Sequence, residues 1–248
     1  MKHNLFVVII FMSALLTAYP AGSDLPVANA PGITKPELLG QFDPSTHPDF
    51  VLIDARFTDK KGIYLRSEPY DSLKRMIASA KTEGINLTVI SATRNFDYQK
   101  GIWQRKWSGD KFKTYQGCER AKQIMRYSSM PGTSRHHWGT DIDLNSVDPA
   151  YFNSGQGRKI YEWLVIHAPA FGFYQTYTAK SGTGRTGFEE EKWHWSFIPL
   201  AETYLKEYNL QITPSDFTGF DGSGCAQELN VIENYVNGID SLVLARMK

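Results

Sequence analysis

Apolar positions recur at helical spacing in Tyr70 to Glu83, where Leu73, Met76, Ile77 and Ala80 share one face and Gly84 follows as a terminator. Next, Asn86 to Ala92 is a short β-branched run, which predicts a buried strand delivering Ser91 to Arg94 at its end. Asp97 to Trp107 and Arg120 to Tyr127 read as helices, with Tyr115 to Cys118 as a connection. Tyr127 to Ser134 is a polar loop bearing Pro and Gly. Beyond it, Thr140 to Asn145 alternates as a half-buried strand does, placing Asp141, Asp143 and Asn145 on one face. Gly157 to His167 predicts a helix, Phe171 to Tyr177 an aromatic strand, Lys180 to Gly187 a Gly-rich loop, and Ala201 to Tyr208 a last helix. Tyr64 to Arg66 either lines a cleft or forms a surface strand.

Three segments follow from this pattern. Lys2 precedes an uncharged apolar run, Leu5 to Leu16, so residues 1–21 read as a signal peptide cleaved between Ala18 and Ser23. That run is shorter than the roughly 20 residues a membrane span needs, so the mature protein is expected in the periplasm or cell envelope without stable membrane insertion. Residues 22–49, rich in Pro, Gly, Ala and Ser, predict an extended lead-in, and residues 50–248 one catalytic domain. The chain has 27 Lys plus Arg against 26 Asp plus Glu, a balance that argues against nucleic acid as a partner. Its two cysteines, Cys118 and Cys225, can pair in an oxidising compartment to close a loop worth roughly 4 to 5 kcal/mol. Two buried, unpaired thiols are the alternative.

The chemistry concentrates in two motifs. In Ser134-Arg-His-His-Trp-Gly-Thr-Asp-Ile-Asp143, His136 and Asp143 lie seven apart, and a loop-to-strand change at Gly139 brings the carboxylate back beside the imidazole. Glu191-Lys-Trp-His194 adds another imidazole, with a carboxylate three residues before it. Two nitrogens, one oxygen and an open fourth position suit a catalytic zinc site of one ion, with Glu191 handling the protons of the attacking water. A straight strand puts Glu191 and His194 on opposite faces, so the segment must turn between them. His137 points elsewhere, as a supporting or exposed residue. Asp141 either supports a metal ligand or faces solvent, and Trp138, Trp193 and Trp195 are expected in the core and the pocket wall.

Ser-x-His-x-x-Gly-x-x-x-Asp followed by Glu-x-x-His, here Ser134, His136, Gly139, Asp143, Glu191 and His194, resembles the zinc D-alanyl-D-alanine carboxypeptidase family of the vancomycin-resistance type (peptidase family M15). Upstream, Ser91-Ala-Thr-Arg94 with Gln99 resembles the family's Ser-x-x-Arg segment. The resemblance covers roughly Tyr64 to Phe197. It implies an α+β fold, a small antiparallel sheet flanked by helices as in the hedgehog signalling domain. It implies Arg94 as an oxyanion or substrate ligand, with Ser91, Gln99, Ser134 and Trp195 as substrate contacts, and hydrolysis of the terminal peptide bond of peptidoglycan stem peptides by metal-bound water. Trp193-His194-Trp195-Ser196 resembles the dipeptidase branch at least as well, so a D-alanyl-D-alanine dipeptidase and an L,D- or endopeptidase stay open. A catalytically silent module that binds wall peptides is the rival of another class.

Overall fold

The structure, a computed structural model, describes residues 32–247; the expected signal peptide and the first part of the lead-in lie outside them. It mixes helices with two small antiparallel sheets. Four strands, β3 (Val89–Ser91), β4 (Asp141–Leu144), β5 (Phe173–Gln175) and β6 (His194–Phe197), pair in the order β3-β4-β6-β5. A separate hairpin joins β1 (Phe50–Leu52) to β2 (Tyr64–Arg66).

The register of the larger sheet decides which residues meet. Ser91 pairs with Asp143, and Asp143 with His194, so these three form one row across β3, β4 and β6. Asp141 pairs with Ser196 in the next row on the same face. Because side chains alternate along a strand, Ile142 and its partner Trp195 point to the other face. There they join a core with Leu73 and Met76 of α2 (Ser67–Thr82) and Ile160 and Leu164 of α5 (Gly155–His167).

A second core packs Trp103 of α3 (Phe96–Ser108) and Trp138 against Tyr204 and Tyr208 of α6 (Ile198–Gln211). Residues 33–49 lie on this side. Thr34 caps α1 (Lys35–Leu38), Leu38 and Leu39 are buried, and the Trp138 indole N–H donates to the Leu38 carbonyl at 3.2 Å. The segment after Gln211, whose fold the periodicity did not reveal, buries Phe217, Val231 and Val236 in the same core and ends in α7 (Ser241–Arg246). A disulfide from Cys118, in α4 (Gly117–Ile124), to Cys225 fastens it.

Several elements differ from the periodic reading. α2 begins at Ser67 rather than Tyr70, because Pro69 in its first turn gives up no hydrogen bond a helix needs. Only Val89 to Ser91 of the β-branched run joins the sheet; at its start the Val89 N–H donates to the Phe57 carbonyl, and just before it the Thr88 carbonyl accepts from the Asn145 N–H. β4 stops at Leu144, since Asn145 takes a left-handed φ of 62° and donates its side-chain amide to Asn86, leaving the face it was expected to share. α4 covers Gly117 to Ile124, so Cys118 belongs to a helix, not a connection. In β2, Leu65 and Arg66 turn inward, and Arg66 binds the Trp138 carbonyl and Asp49.

Candidate active site

His136 stands on a short turn, Arg135–Trp138, which Gly139 closes with φ 73°. A Cβ on Gly139 meets Phe50 Cε1 at 2.4 Å and Arg66 Cγ at 2.9 Å, so glycine serves here both to turn the chain into β4 and to let it pass the hairpin. β4 then carries Asp143 back beside His136. His194 opens β6 in the neighbouring position, and its N–H donates to the Glu191 carbonyl at 3.2 Å. This is the turn the sequence required, and it leaves Glu191 Oε2 3.7 Å from His194 Nδ1.

His136 Nε2, His194 Nδ1 and Asp143 Oδ1 form a near-equilateral triangle: 3.2 Å between the nitrogens and 3.3 Å from each to the oxygen. Donors about 2.0–2.1 Å from a tetrahedral zinc ion stand about 3.3 Å apart, so the set fits that ion. Asp143 Oδ1 is buried and has no hydrogen-bond partner among the described residues. The other ring nitrogens are held by acceptors, His136 Nδ1 by the Ala92 carbonyl at 2.7 Å and His194 Nε2 by Asp141 Oδ2 at 2.8 Å. With a metal bound, those contacts would hold each N–H on the far side of its ring and aim both lone pairs into the triangle.

Asp141 is therefore a supporting residue and not a solvent-facing one. Its carboxylate also accepts from Thr140 Oγ1 at 2.6 Å, Ser196 Oγ at 2.8 Å and Arg135 Nε at 3.1 Å, and neither the Arg135 nor the Asp141 side chain is exposed at all. Sequence reasoning missed this Arg135–Asp141–Ser196 cluster; the signal was the charge pair Arg135 and Asp141 flanking the two motif ligands. His137 is fully buried. It donates through Nδ1 to the Arg94 carbonyl at 2.6 Å and accepts at Nε2 from the Gly132 N–H, while burial holds its pKa down at about 3. It fixes the backbone of Arg94 and is no ligand.

Charge at the centre follows from burial and proximity. Burial pushes the Glu191 carboxyl up, and Asp143 adds to this, to about 7. Burial opposes the charged form of His194, but hydrogen bonds and attraction from Asp141 and Asp143 outweigh it and lift its pKa to about 9. Burial likewise resists ionisation of Asp143, yet His136, His194 and Arg94 hold it well below the usual carboxylate range. In the metal-free protein His194 is thus the cation of the cluster, and a proton on Nδ1 faces His136 and Asp143.

A cleft of about 360 Å³ opens over the triangle, lined by Ser91, Arg94, Gln99, Ser134 and Glu191 among others. Arg94 Nη1 reaches Ser91 Oγ at 2.8 Å and Asp143 Oδ2 at 3.2 Å. Gln99 donates to the Ser129 carbonyl at 2.8 Å, and its Oε1, like the Ser134 hydroxyl, is buried without a partner among the described residues. Trp195 stands apart: it is in the core behind the sheet, its indole N–H bonded to the Lys192 carbonyl, so it is no substrate contact. The strand alternation that points His194 forward points Trp195 back. Trp193 lines the cleft instead, and the Tyr177 ring packs 4.7 Å from the His194 ring.

The family model VanY, D-alanyl-D-alanine carboxypeptidase, matches residues 62–200, more than half of the chain and all three motif segments. The chain belongs to this family. Among its relatives, the putative carboxypeptidase YodJ of Bacillus subtilis (strain 168) is 31% identical over 170 residues, covering 65% of this chain and 56% of that protein. The D-alanyl-D-alanine carboxypeptidase of Enterococcus faecalis (strain ATCC 700802 / V583) is 29% identical over 147 residues, 59% of this chain and 52% of that protein. The chain spans about half the length of these two curated relatives. The LdcB LD-carboxypeptidase structure shares the fold, with a TM-score of 0.50 at 21% identity over 80% of this chain and 79% of that one.

Proposed function

We propose that the protein is a zinc-dependent D-alanyl-D-alanine carboxypeptidase that removes the terminal residue of peptidoglycan stem peptides in the cell envelope. The observation that carries this reading is the triangle of His136, Asp143 and His194 donors beneath a cleft, with the Glu191 carboxyl beside it, inside the region that matches the family. The E. faecalis relative named for that activity supports the substrate. The charged start and apolar run Leu5 to Leu16 support export, and among the described residues no helix is long and apolar enough to cross a membrane.

Zinc in this cradle supplies Lewis acidity toward water and the scissile carbonyl. Glu191 takes the proton of the attacking water and delivers it to the leaving amine, a role that contributes typically 10²–10⁴-fold. Asp141 and the Ala92 carbonyl keep the two imidazoles in the ligating tautomer. Arg94 offers a guanidinium to the oxygen on which charge develops, with Nε free of partners among the described residues. Ser134 and Gln99 present unpaired polar atoms to the bound peptide.

Coupled detection of free D-alanine tests this reading. A stem pentapeptide is expected to release one D-alanine per chain, while free D-alanyl-D-alanine and a tetrapeptide ending in an L,D bond are left intact. Cleavage of the free dipeptide alone moves the assignment to a dipeptidase, and cleavage of the tetrapeptide alone to an L,D-carboxypeptidase.

A further inference from the structure

The cleft holds a cation that the reading above does not use. Gln99, Ile102 and Lys106 recur along α3 at spacings of three and four, and all three line the cleft. Lys106 is half-buried, yet among the described residues it has no ion-pair or side-chain hydrogen-bond partner. Of the other cations bordering this space, Arg94 already contacts Asp143 and Ser91, Arg135 is paired with Asp141, and Lys60 is exposed to solvent. Burial is the main influence on the Lys106 ammonium and draws its pKa down, against an opposing attraction from Glu191. A partly desolvated ammonium without a direct ion-pair partner is unfavourable until an anion reaches it. The last turn of α3 favours positive charge through the helix dipole, but exposed Arg105 next to it meets that need from the solvent side. The helix therefore does not explain why Lys106 turns inward.

We propose that Lys106 is the receptor for a carboxylate of the bound peptide, a specificity residue of the cleft. The hydrolase reading enters only in making that peptide a cell-wall stem. Two carboxylates carry the required chemistry, the C-terminal one of the leaving residue and a side-chain one further up the stem.

The test uses a synthetic stem pentapeptide, its C-terminal amide and its side-chain amide. Each is titrated calorimetrically into the metal-free wild type, Lys106→Met and Lys106→Arg, and each is then offered to the zinc-loaded proteins. The wild type is expected to bind the unmodified peptide roughly 10–100-fold more tightly than one of the two amides, the range of a charge-assisted hydrogen bond. That amide identifies the carboxylate. Lys106→Met is expected to bind all three peptides alike, at the level of the weak amide, and Lys106→Arg to recover most of the preference. On zinc-loaded protein the loss should fall on KM more than on kcat. Equal binding of all three peptides by the wild type, or an undiminished preference in Lys106→Met, overturns the proposal. Carboxylate-dependent binding without turnover by the zinc-loaded wild type removes the hydrolase reading and leaves the role of Lys106 standing.

Discussion

Asp141→Asn separates the two tasks of the buried carboxylate behind His194. The amide is isosteric but uncharged, so Arg135, whose side chain is wholly buried, loses its only ion-pair partner among the described residues. Removing one member of a buried pair costs about 3–5 kcal/mol, because the remaining charge is left uncompensated. For a chain of this size each kcal/mol moves Tm by about 2–4 °C, so the metal-free variant is expected to melt roughly 6–20 °C lower. The second effect falls on the metal. Asp141 Oδ2, 2.8 Å from His194 Nε2, fixes the ligating tautomer, and such partners contribute about 10–100-fold in metal affinity. Differential scanning of EDTA-treated protein measures the first effect, and zinc competition against a chromogenic chelator the second. Adding Arg135→Met removes the stranded charge and should restore part of the stability but none of the zinc affinity, since Arg135 does not touch His194. An Asp141→Asn protein with wild-type melting, or with wild-type zinc affinity, refutes the reasoning.

The disulfide closes a sequence separation of 107 residues, so Cys118→Ala with Cys225→Ala should lower stability by about 4–5 kcal/mol in the chain-entropy model while sparing zinc binding; urea unfolding measures it, and an unchanged midpoint contradicts it. Metal-free stability should decline with rising pH. The folded pKa of His194, about 9, lies above its ordinary 6.5, so its contribution is complete below 6.5 and lost by about 9. Glu191, raised to about 7 from 4.5, acts in the same direction between those values. Urea midpoints of EDTA-treated protein that rise from pH 6 to 9.5 oppose this. For the same reason zinc binding at pH 8 should release about one proton from His194, read by calorimetry in buffers of different ionisation enthalpy.

The metal site was legible because its ligands come from two short segments whose spacing survives folding: a turn at Gly139 returns Asp143 to His136, and a turn after Glu191 sets it beside His194. α2, α3 and α5 were legible from their apolar spacing, with ends displaced by a few residues where Pro69 and the irregular chain before Val89 follow local rules. What stayed hidden depends on register. Whether Asp141 supports a ligand, and whether Trp195 faces the cleft or the core, is settled by the pairing of Asp141 with Ser196 and of Ile142 with Trp195, which no single segment encodes. The C-terminal segment stayed hidden because it docks through scattered residues, Phe217, Val231 and Val236, in short turns without period. Lys106 was passed over because a lysine in a last helical turn looks like an ordinary solvated end; only the cleft gives it a direction.

The proposed hydrolase rests on His136, Asp143 and His194 as zinc ligands and on Glu191 as the proton carrier. Mass spectrometry of a muramyl pentapeptide, digested by the zinc-loaded wild type beside His194→Ala and Glu191→Gln, tests it most directly. The account predicts loss of one alanine by the wild type alone, with Glu191→Gln still binding zinc. A pentapeptide left untouched by the wild type, or cleaved equally by Glu191→Gln, contradicts it.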